Sequence, residues 1–297
     1  MKSDIKFKTE DGISLSGFFY EDESSNEPKP TIVMAHGFTG VIDALKDYAD
    51  FFHKSGFNVL LYEHRSFGKS EGVPRFDINP YQQLSDFRDA ITYAQSLPKV
   101  DAKKIGIWGS SYAGGHVIAL GACDRRVQCV VSQIPYVSGH DNAPRIYSSD
   151  VIKGWQKKFI EERISLAKGN EPTYVPVFSS DKNTSHMAAL GYASERFIEA
   201  SESSEGWVNK VTLRSVEYFM EYEPGGFAEF VSPTPLLMII GAKDNVNPPD
   251  ISLKIYEKAL HPKHVVVHPG GHFGTYTLQF SESSGAALEW FKRYLMN

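Results

Sequence analysis

The segment spanning residues 104–123 limits most strongly what this chain can fold into. A short apolar run of strand length, residues 105–108, leads into Gly109-Ser-Ser-Tyr-Ala-Gly-Gly115, and a mostly apolar stretch of helical length follows. A strand that passes through a sharp turn into a helix, with a serine at the turn, is the context of a nucleophile elbow, in which a strained turn lifts the serine hydroxyl above the edge of a sheet. The alternative is an ordinary strand-to-helix turn with a serine N-cap.

Two adjacent serines occupy this turn, and the size of their neighbours distinguishes them. In a tight elbow, the residues two before and two after the nucleophile must be small, because they crowd the strand and the helix. Ser111 has Gly109 and Ala113 at these positions, whereas Ser110 has a tryptophan and a tyrosine. We therefore predict Ser111 as the nucleophile, although an alanine replaces the last glycine of Gly-x-Ser-x-Gly.

Strands alternate with helices on both sides of this turn, which predicts an α/β fold with a mostly parallel, twisted sheet and helices on both faces. An Asp-Gly dipeptide at 11–12 predicts an initial hairpin. The predicted strands are 5–10, 13–20, 31–35, 58–62, 105–108, 127–133, 235–241 and 265–268, and the predicted helices lie near 45–55, 80–94, 116–123, 250–260 and 287–295.

The alternation stops near Ser138 and resumes only at Pro235. The intervening segment is helix-biased and rich in aromatic residues, including Trp155 and Trp207. Both of its ends leave the predicted sheet near the same edge. We therefore interpret residues 138–231 as a largely helical cap inserted into a core domain of residues 1–137 and 232–297, and expect some of its aromatic residues to line an apolar pocket.

Composition, charge and the N-terminal sequence argue against several classes of protein. The 297 residues carry a formal net charge of −5 without a basic block, which disfavours a nucleic-acid partner. No apolar run is long enough to span a bilayer, and the N-terminus lacks the apolar core of a secretory signal, so the simplest expectation is a cytoplasmic protein without membrane contact. The two cysteines, Cys123 and Cys129, are expected to be reduced packing residues. The sequence does not determine the oligomeric state and is compatible with a homodimer.

Reactive residues follow four of the predicted strands. Ser111 follows the central strand, Asp244 and His272 follow the last two, and His36-Gly37-Phe38 follows an early one. The chain order Ser, Asp, His is the order in which a catalytic triad is built on α/β sheets of this kind. The alternatives are that Asp244 is a turn residue, that His272 is an exposed loop residue and that Asp141 is the acid.

These motifs, taken together from about residue 5 to the end, resemble the α/β-hydrolase superfamily. The middle block, with residues 207–214 and Pro233-Thr-Pro235, is similar to that of a dienelactone-hydrolase-like group that includes fungal polyketide transferases. The resemblance implies that the backbone N–H of Phe38 joins that of Tyr112 in an oxyanion hole. One motif departs from the pattern of this group. Relatives often have Asp-x-Arg-Gly-x-Gly-x-Ser where this chain has Glu63-His-Arg-Ser-Phe-Gly-Lys-Ser70.

The chemistry expected of these residues is acyl transfer to a serine. A serine hydroxyl needs a base, here His272, which Asp244 would orient. We expect a serine hydrolase acting on a carboxylic ester or thioester of a small, largely apolar acyl substrate. An acyltransferase with the same triad is the first alternative, with carbon–carbon hydrolase, peptidase and noncatalytic ligand receptor also open. Epoxide or haloalkane hydrolysis is disfavoured, because it uses a carboxylate at the position of Ser111. No metal-ligand spacing or dinucleotide motif occurs, so no metal and no cofactor are expected.

Overall fold

The structure, a computed structural model, describes residues 1–22 and 27–296. Numbered in chain order, its strands are β1 Lys2–Lys8, β2 Ser14–Tyr20, β3 Lys29–Ala35, β4 Asn58–Tyr62, β5 Val100–Ser110, β6 Val127–Gln133, β7 Tyr174–Val175, β8 Val211–Thr212, β9 Leu236–Gly241 and β10 Lys263–His268. Eight of them form one sheet in the order β1-β2-β4-β3-β5-β6-β9-β10. The hairpin β1–β2 is antiparallel, as is the β2–β4 pair, and all other neighbours in this sheet are parallel.

Helices cover both faces of the sheet, as the alternation predicts. They are α1 Lys46–Lys54, α2 Pro80–Ser96, α3 Tyr112–Cys123, α4 Gly139–Ile146, α5 Ser149–Ala167, α6 Glu195–Glu202, α7 Leu213–Glu221, α8 Pro249–Lys258 and α9 Phe280–Phe291. Helices α2, α3 and α8 contribute to the apolar cluster on one face, and α1 and α9 contribute to the cluster on the other. Successive strand residues alternate between the two clusters, as the period of a strand requires. The fold is an α/β-hydrolase fold.

The segment between β6 and β9 carries α4 to α7 and the antiparallel pair β7–β8. Its side chains form a third apolar cluster around Trp155, Phe159 and Phe219. Tyr112 and Tyr136, which belong to the predicted core, lie in this same cluster, so the segment packs directly onto the strand ends. The division of the chain at residues 138 and 231 into core and cap stays a prediction.

Several sequence expectations need adjustment here. β1 begins and ends earlier than the predicted strand 5–10, and α9 begins earlier than the predicted helix near 287–295. Cys129 is buried in β6 as expected, but Cys123 is exposed at the end of α3, so its interpretation as a packing residue was wrong. Leu45, expected in the first helix, lies in a short 3₁₀ helix, Ile42–Leu45, that precedes α1. Among the described residues, no helix is long and apolar enough to cross a membrane.

Candidate active site

Ser111 lies at the turn between β5 and α3 in a strained backbone conformation, with φ 58° and ψ −119°. A Cβ atom on Gly109 would lie 2.1 Å from the backbone oxygen of Ala113, so the turn requires glycine there. Ala113 itself is fully buried and its methyl group is accommodated. The packing of the turn is therefore consistent with the requirement for small residues two positions before and after the nucleophile, on which the choice of Ser111 rests.

Ser110, the rejected serine, faces different partners. It is fully buried at the end of β5, and its hydroxyl lies 2.5 Å from the hydroxyl of Tyr276. The side-chain amide of Gln133 also donates to it at 3.4 Å. Of the two serines, Ser111 is the one that borders the cavity described below.

His272 begins a short 3₁₀ helix, His272–Tyr276, directly after β10. Its Nε2 atom lies 3.1 Å from Oγ of Ser111, and its Nδ1 atom lies 2.8 Å from Oδ2 of Asp244. Because an ionised carboxylate only accepts hydrogen bonds, the ring proton belongs on Nδ1, and Nε2 is left to accept the proton of Ser111. This is the tautomer that a general base needs. His272 is almost fully buried, so it is not an exposed loop residue.

Asp244 lies in the loop after β9 and is also buried. Its Oδ1 atom accepts the backbone N–H groups of Val246 at 2.8 Å and Asn247 at 2.7 Å, while Oδ2 faces His272. The contacts of a turn residue and a contact to His272, which are alternatives at the level of the sequence, thus coexist in one carboxylate. Asp141, the rival acid, lies on the surface of α4 and accepts a hydrogen bond from Lys254 at 3.0 Å.

The loop after β3 brings a second group of backbone atoms to Ser111. A Cβ atom on Gly37 would lie 2.9 Å from Cβ of Ser111, so this glycine allows the loop to approach the serine closely. The N–H groups of Phe38 and Tyr112 have no hydrogen-bond partner within residues 1–22 and 27–296. The N–H of Tyr112 is free because Tyr112 is the first residue of α3. Both predicted oxyanion donors are therefore available beside the serine.

A buried histidine fixes the peptide that carries the N–H of Phe38. Nε2 of His36 accepts the backbone N–H of His64 at 3.1 Å, so the proton of His36 lies on Nδ1, which donates to the carbonyl of Gly37 at 3.0 Å. The N–H of Gly40 donates to the same carbonyl at 3.1 Å. Because C=O and N–H point in opposite directions across a trans peptide, these bonds direct the N–H of Phe38 away from both donors.

His36 belongs to a cluster of three buried histidines with His64 and His116. The ring of His116 pairs with Tyr222 at 2.9 Å and with Gln83 at 3.0 Å. Burial lowers the pKa of all three histidines, to about 3 for His116, and outweighs the opposing effect of Glu63 on the pKa of His36. The cluster is therefore neutral near pH 7.

A cavity of about 570 Å³ lies in front of Ser111 and His272. One wall comes from the strand-end loops and the other from the segment between β6 and β9. Among the lining side chains of that segment are Phe178, Leu190, Phe197, Ala200, Ser201, Ser204, Trp207 and Phe219. Trp155 packs against Phe159 and is not among the lining residues, so of the two tryptophans that the sequence singled out only Trp207 faces the cavity.

The loop that departs from the motif of the relatives, residues 63–70, is held by its own polar groups. The carboxylate of Glu63 accepts the backbone N–H of Lys69 at 2.8 Å and that of Ile42 at 3.4 Å. Ser66, at the position where relatives often have glycine, has φ 70°, a conformation that favours glycine. Arg65 is bound by Asp11 and Asp86. These contacts give the loop a structural role.

The sheet order, the serine at the elbow after β5, the acid after β9 and the histidine after β10 define an α/β-hydrolase. A family model described as X-Pro dipeptidyl-peptidase (S15 family) matches residues 11–274. The chain therefore belongs to this family.

Individual relatives match almost from end to end. Thiohydrolase aneE of Aspergillus aculeatus is 29% identical over 273 residues, covering 88% of this chain and 83% of the relative. Polyketide transferase claH of Penicillium crustosum is 31% identical over 277 residues, covering 91% and 89%. The solved structure of the α/β hydrolase GrgF from Penicillium sp. sh18 has a TM-score of 0.87 at 26% identity, with both chains fully covered. The resemblance to fungal polyketide transferases is thus confirmed, and the protein is an enzyme of the α/β-hydrolase type, a class that acts on ester-type bonds.

Some neighbours of the site carry no signal in the sequence. His64 and Tyr276 belong to no motif, and their contacts depend on strand register and on the path of the 3₁₀ turn. Thr39 lines the cavity with φ 55°, an unusual value for a β-branched residue. The only hint in the sequence is that Thr39 lies between Gly37 and Gly40, where a tight turn is expected.

Proposed function

We propose that this protein is a serine hydrolase that cleaves a carboxylic ester or thioester of a small, largely apolar acyl group through an acyl-enzyme on Ser111. The observation that carries the proposal is the hydrogen-bonded chain from Ser111 through His272 to Asp244, which opens into the cavity. The names of the relatives, thiohydrolase and polyketide transferase, favour an activated acyl substrate of this kind.

In the first half of the proposed reaction, Nε2 of His272 takes the proton of Ser111 as Oγ attacks the substrate carbonyl. The carbonyl oxygen becomes an oxyanion, and the N–H groups of Phe38 and Tyr112 are proposed to bind it. Loss of one such donor typically lowers kcat about 10²- to 10³-fold. Asp244 stabilises the imidazolium that forms. His272 then gives its proton to the departing alcohol or thiol, which leaves the acyl group on Ser111.

In the second half, water replaces the leaving group. His272 takes a proton from this water, whose oxygen attacks the acyl carbon, and the same donors bind the second oxyanion. The proton returns to Oγ of Ser111 as the ester to the enzyme breaks and the carboxylic acid leaves. The cycle consumes one water and needs no redox partner.

The shape and lining of the cavity favour a medium-sized apolar acyl group. About 570 Å³ lies within the range of pockets for small molecules, and Phe38, Phe178 and Trp207 present apolar surface to it. We also propose that residues 138–231 act as a cap over the strand ends. The support is that Phe197 of α6 packs on Phe273, the neighbour of His272, with ring centroids 4.3 Å apart.

Acyl transfer is the second candidate. The specific observation in its favour is the similarity to polyketide transferase claH. In this alternative the same acyl-enzyme is attacked by an alcohol or amine instead of water. The two candidates are distinguished by supplying acceptor alcohols and amines to the acyl-enzyme and measuring the ratio of transfer product to free acid.

The test of the proposed function is labelling with a fluorophosphonate, which reacts quickly only with an activated serine. Wild type and Ser110→Ala should be labelled to one equivalent, and Ser111→Ala should not be labelled. Absence of labelling in wild type would favour a noncatalytic receptor. Turnover is measured with p-nitrophenyl butyrate, a butyryl thioester and Ala-Pro p-nitroanilide. Faster cleavage of the anilide than of both butyryl substrates would overturn the proposal in favour of a peptidase.

A further inference from the structure

Ser110 and Tyr276 form a partly buried contact that connects the two halves of the candidate active site. Ser110 is the last residue of β5 and directly precedes Ser111. Tyr276 ends the 3₁₀ helix that His272 begins. Their hydroxyl oxygens are 2.5 Å apart. The hydrogen bond therefore ties the strand that carries the serine to the turn that carries the histidine.

The environment keeps this contact intact. Ser110 is fully buried and Gln133 donates to its hydroxyl. Burial raises the pKa of Tyr276 well above its ordinary value, so the phenol remains neutral and keeps its proton. The ring of Tyr276 packs edge-on against Tyr48, with centroids 6.4 Å apart.

The far side of the same turn is anchored independently. The hydroxyl of Tyr48 donates to the carbonyl of Thr275 at 2.8 Å, and the hydroxyl of Thr275 lies 3.1 Å from Nε2 of His268. These bonds hold the turn against α1 and β10. The hydrogen bond of Tyr276 supplies the link toward β5.

We propose that Ser110 and Tyr276 are positioning residues that set the separation of Ser111 Oγ from His272 Nε2. This inference rests on the proposed function. Proton transfer requires the two atoms to stay within hydrogen-bond reach, and the observed 3.1 Å lies near the upper end of that range. A displacement of about 1 Å at a reacting centre can cost on the order of 10²-fold in rate. The ring of Tyr276 also lines the cavity, but Tyr276→Phe keeps that ring and removes only the hydroxyl. Loss of the link should therefore slow chemistry without changing substrate binding.

The experiment compares Ser110→Ala, Tyr276→Phe and the double variant. We expect each single variant to lower kcat for p-nitrophenyl butyrate about tenfold, with KM within twofold of wild type. The double variant should be no slower than the slower single variant, because both changes remove the same hydrogen bond. Fluorophosphonate labelling should still reach one equivalent in all three variants but with a rate constant reduced in parallel with kcat.

Two variants serve as matched controls. Ser284→Ala and Tyr20→Phe each remove a buried hydroxyl that has no partner among the described residues and lies outside the candidate site. They should keep the wild-type kcat. The inference is overturned if the single variants keep the wild-type kcat, or if their losses of kcat multiply in the double variant. It is also overturned if the loss of activity reflects only a smaller fraction of enzyme molecules that the fluorophosphonate labels, which would indicate misfolded enzyme. Failure of the proposed function itself would appear differently, as a wild type without turnover or a Ser111→Ala variant that retains it.

Discussion

The carboxylate of Asp244 meets the ring of His272 through a single oxygen, Oδ2, at 2.8 Å. The other oxygen is already committed to the backbone N–H groups of Val246 and Asn247. The turn therefore holds the carboxylate in one orientation, and this orientation fixes the tautomer of the histidine.

Replacement of Asp244 by asparagine should disable the site without unfolding it. Asparagine has only one side-chain oxygen, and the two backbone N–H groups of the turn require it. The amide NH₂ would then face Nδ1 of His272, which would have to accept, and the ring proton would move to Nε2 and point at Ser111. We expect kcat to fall about 10⁴-fold for Asp244→Asn, as for the loss of an orienting acid in other triads.

The matched control for this change is Asp141→Asn on α4. Asp141 is exposed and paired with Lys254, and an exposed ion pair contributes roughly 0–1 kcal/mol to the free energy of unfolding. Its kcat should stay within twofold of wild type. Steady-state kinetics with p-nitrophenyl butyrate measure both variants, and a wild-type kcat for Asp244→Asn would remove Asp244 from the proposed mechanism.

The elbow itself should be intolerant of a single methyl group. Gly109→Ala would place a Cβ atom 2.1 Å from the backbone oxygen of Ala113, and backbone cannot move aside as a side chain can. We expect the free energy of unfolding to fall by about 3 kcal/mol or more, since even milder overpacking costs ~1–3 kcal/mol. Chemical denaturation measures the change.

Gly154→Ala on α5 is the control for the change at the elbow. Apart from its chain neighbours and the nearby backbone of α5, no atom of the described residues lies within 4 Å of a Cβ added at Gly154. Because alanine favours a helix over glycine, this variant should be about 0.5–1 kcal/mol more stable than wild type. Equal stabilities of the two variants would contradict the elbow packing.

The sequence predicts the sheet, the elbow and the order of Ser111, Asp244 and His272, because these depend on local patterns: apolar runs, glycines at turns and residues that follow strands. The link between Ser110 and Tyr276 depends on how β5 meets a turn 166 positions away, which no local pattern encodes. The cavity walls are unpredictable for the same reason. Both Trp155 and Trp207 are aromatic residues of the same inserted segment, yet the first is buried in α5 and the second lies at the cavity, in the loop between α6 and β8.

The buried histidines should make stability depend on pH. His36, His64 and His116 have lowered pKa values because burial disfavours their charged forms. In the unfolded chain each pKa returns to about 6.5, so the unfolded state binds more protons as the pH falls below that value. The contribution of these three histidines to the free energy of unfolding is thus fully present above about pH 6.5. It is lost as the pH falls toward their pKa values in the folded state.

The pKa of His116 in the folded state is about 3. Protonation of this residue in the unfolded chain should alone lower the free energy of unfolding at pH 5.5 by ~1.4 kcal/mol relative to its value at neutral pH. Denaturant titrations between pH 7.5 and 5.5 measure the slope. His116→Gln should reduce that slope by the contribution of one proton. A slope that is zero in wild type, or unchanged in the variant, would show that the cluster does not titrate in this way.

The cavity wall formed by Trp207 should set the acyl chain length that the enzyme prefers. With p-nitrophenyl esters from acetate to palmitate, each methylene that enters the cavity contributes ~0.8 kcal/mol, so kcat/KM should rise about fourfold per carbon and fall once the cavity is full. Trp207→Ala removes a lining side chain and should move the optimum to longer chains, whereas Trp155→Phe changes a residue outside the lining and should leave the optimum in place. A flat profile in wild type, or an optimum that Trp207→Ala does not move, would reject the capped cavity as the acyl site. Efficient cleavage of an intact protein would reject it as well, because a folded chain cannot enter a cavity of about 570 Å³.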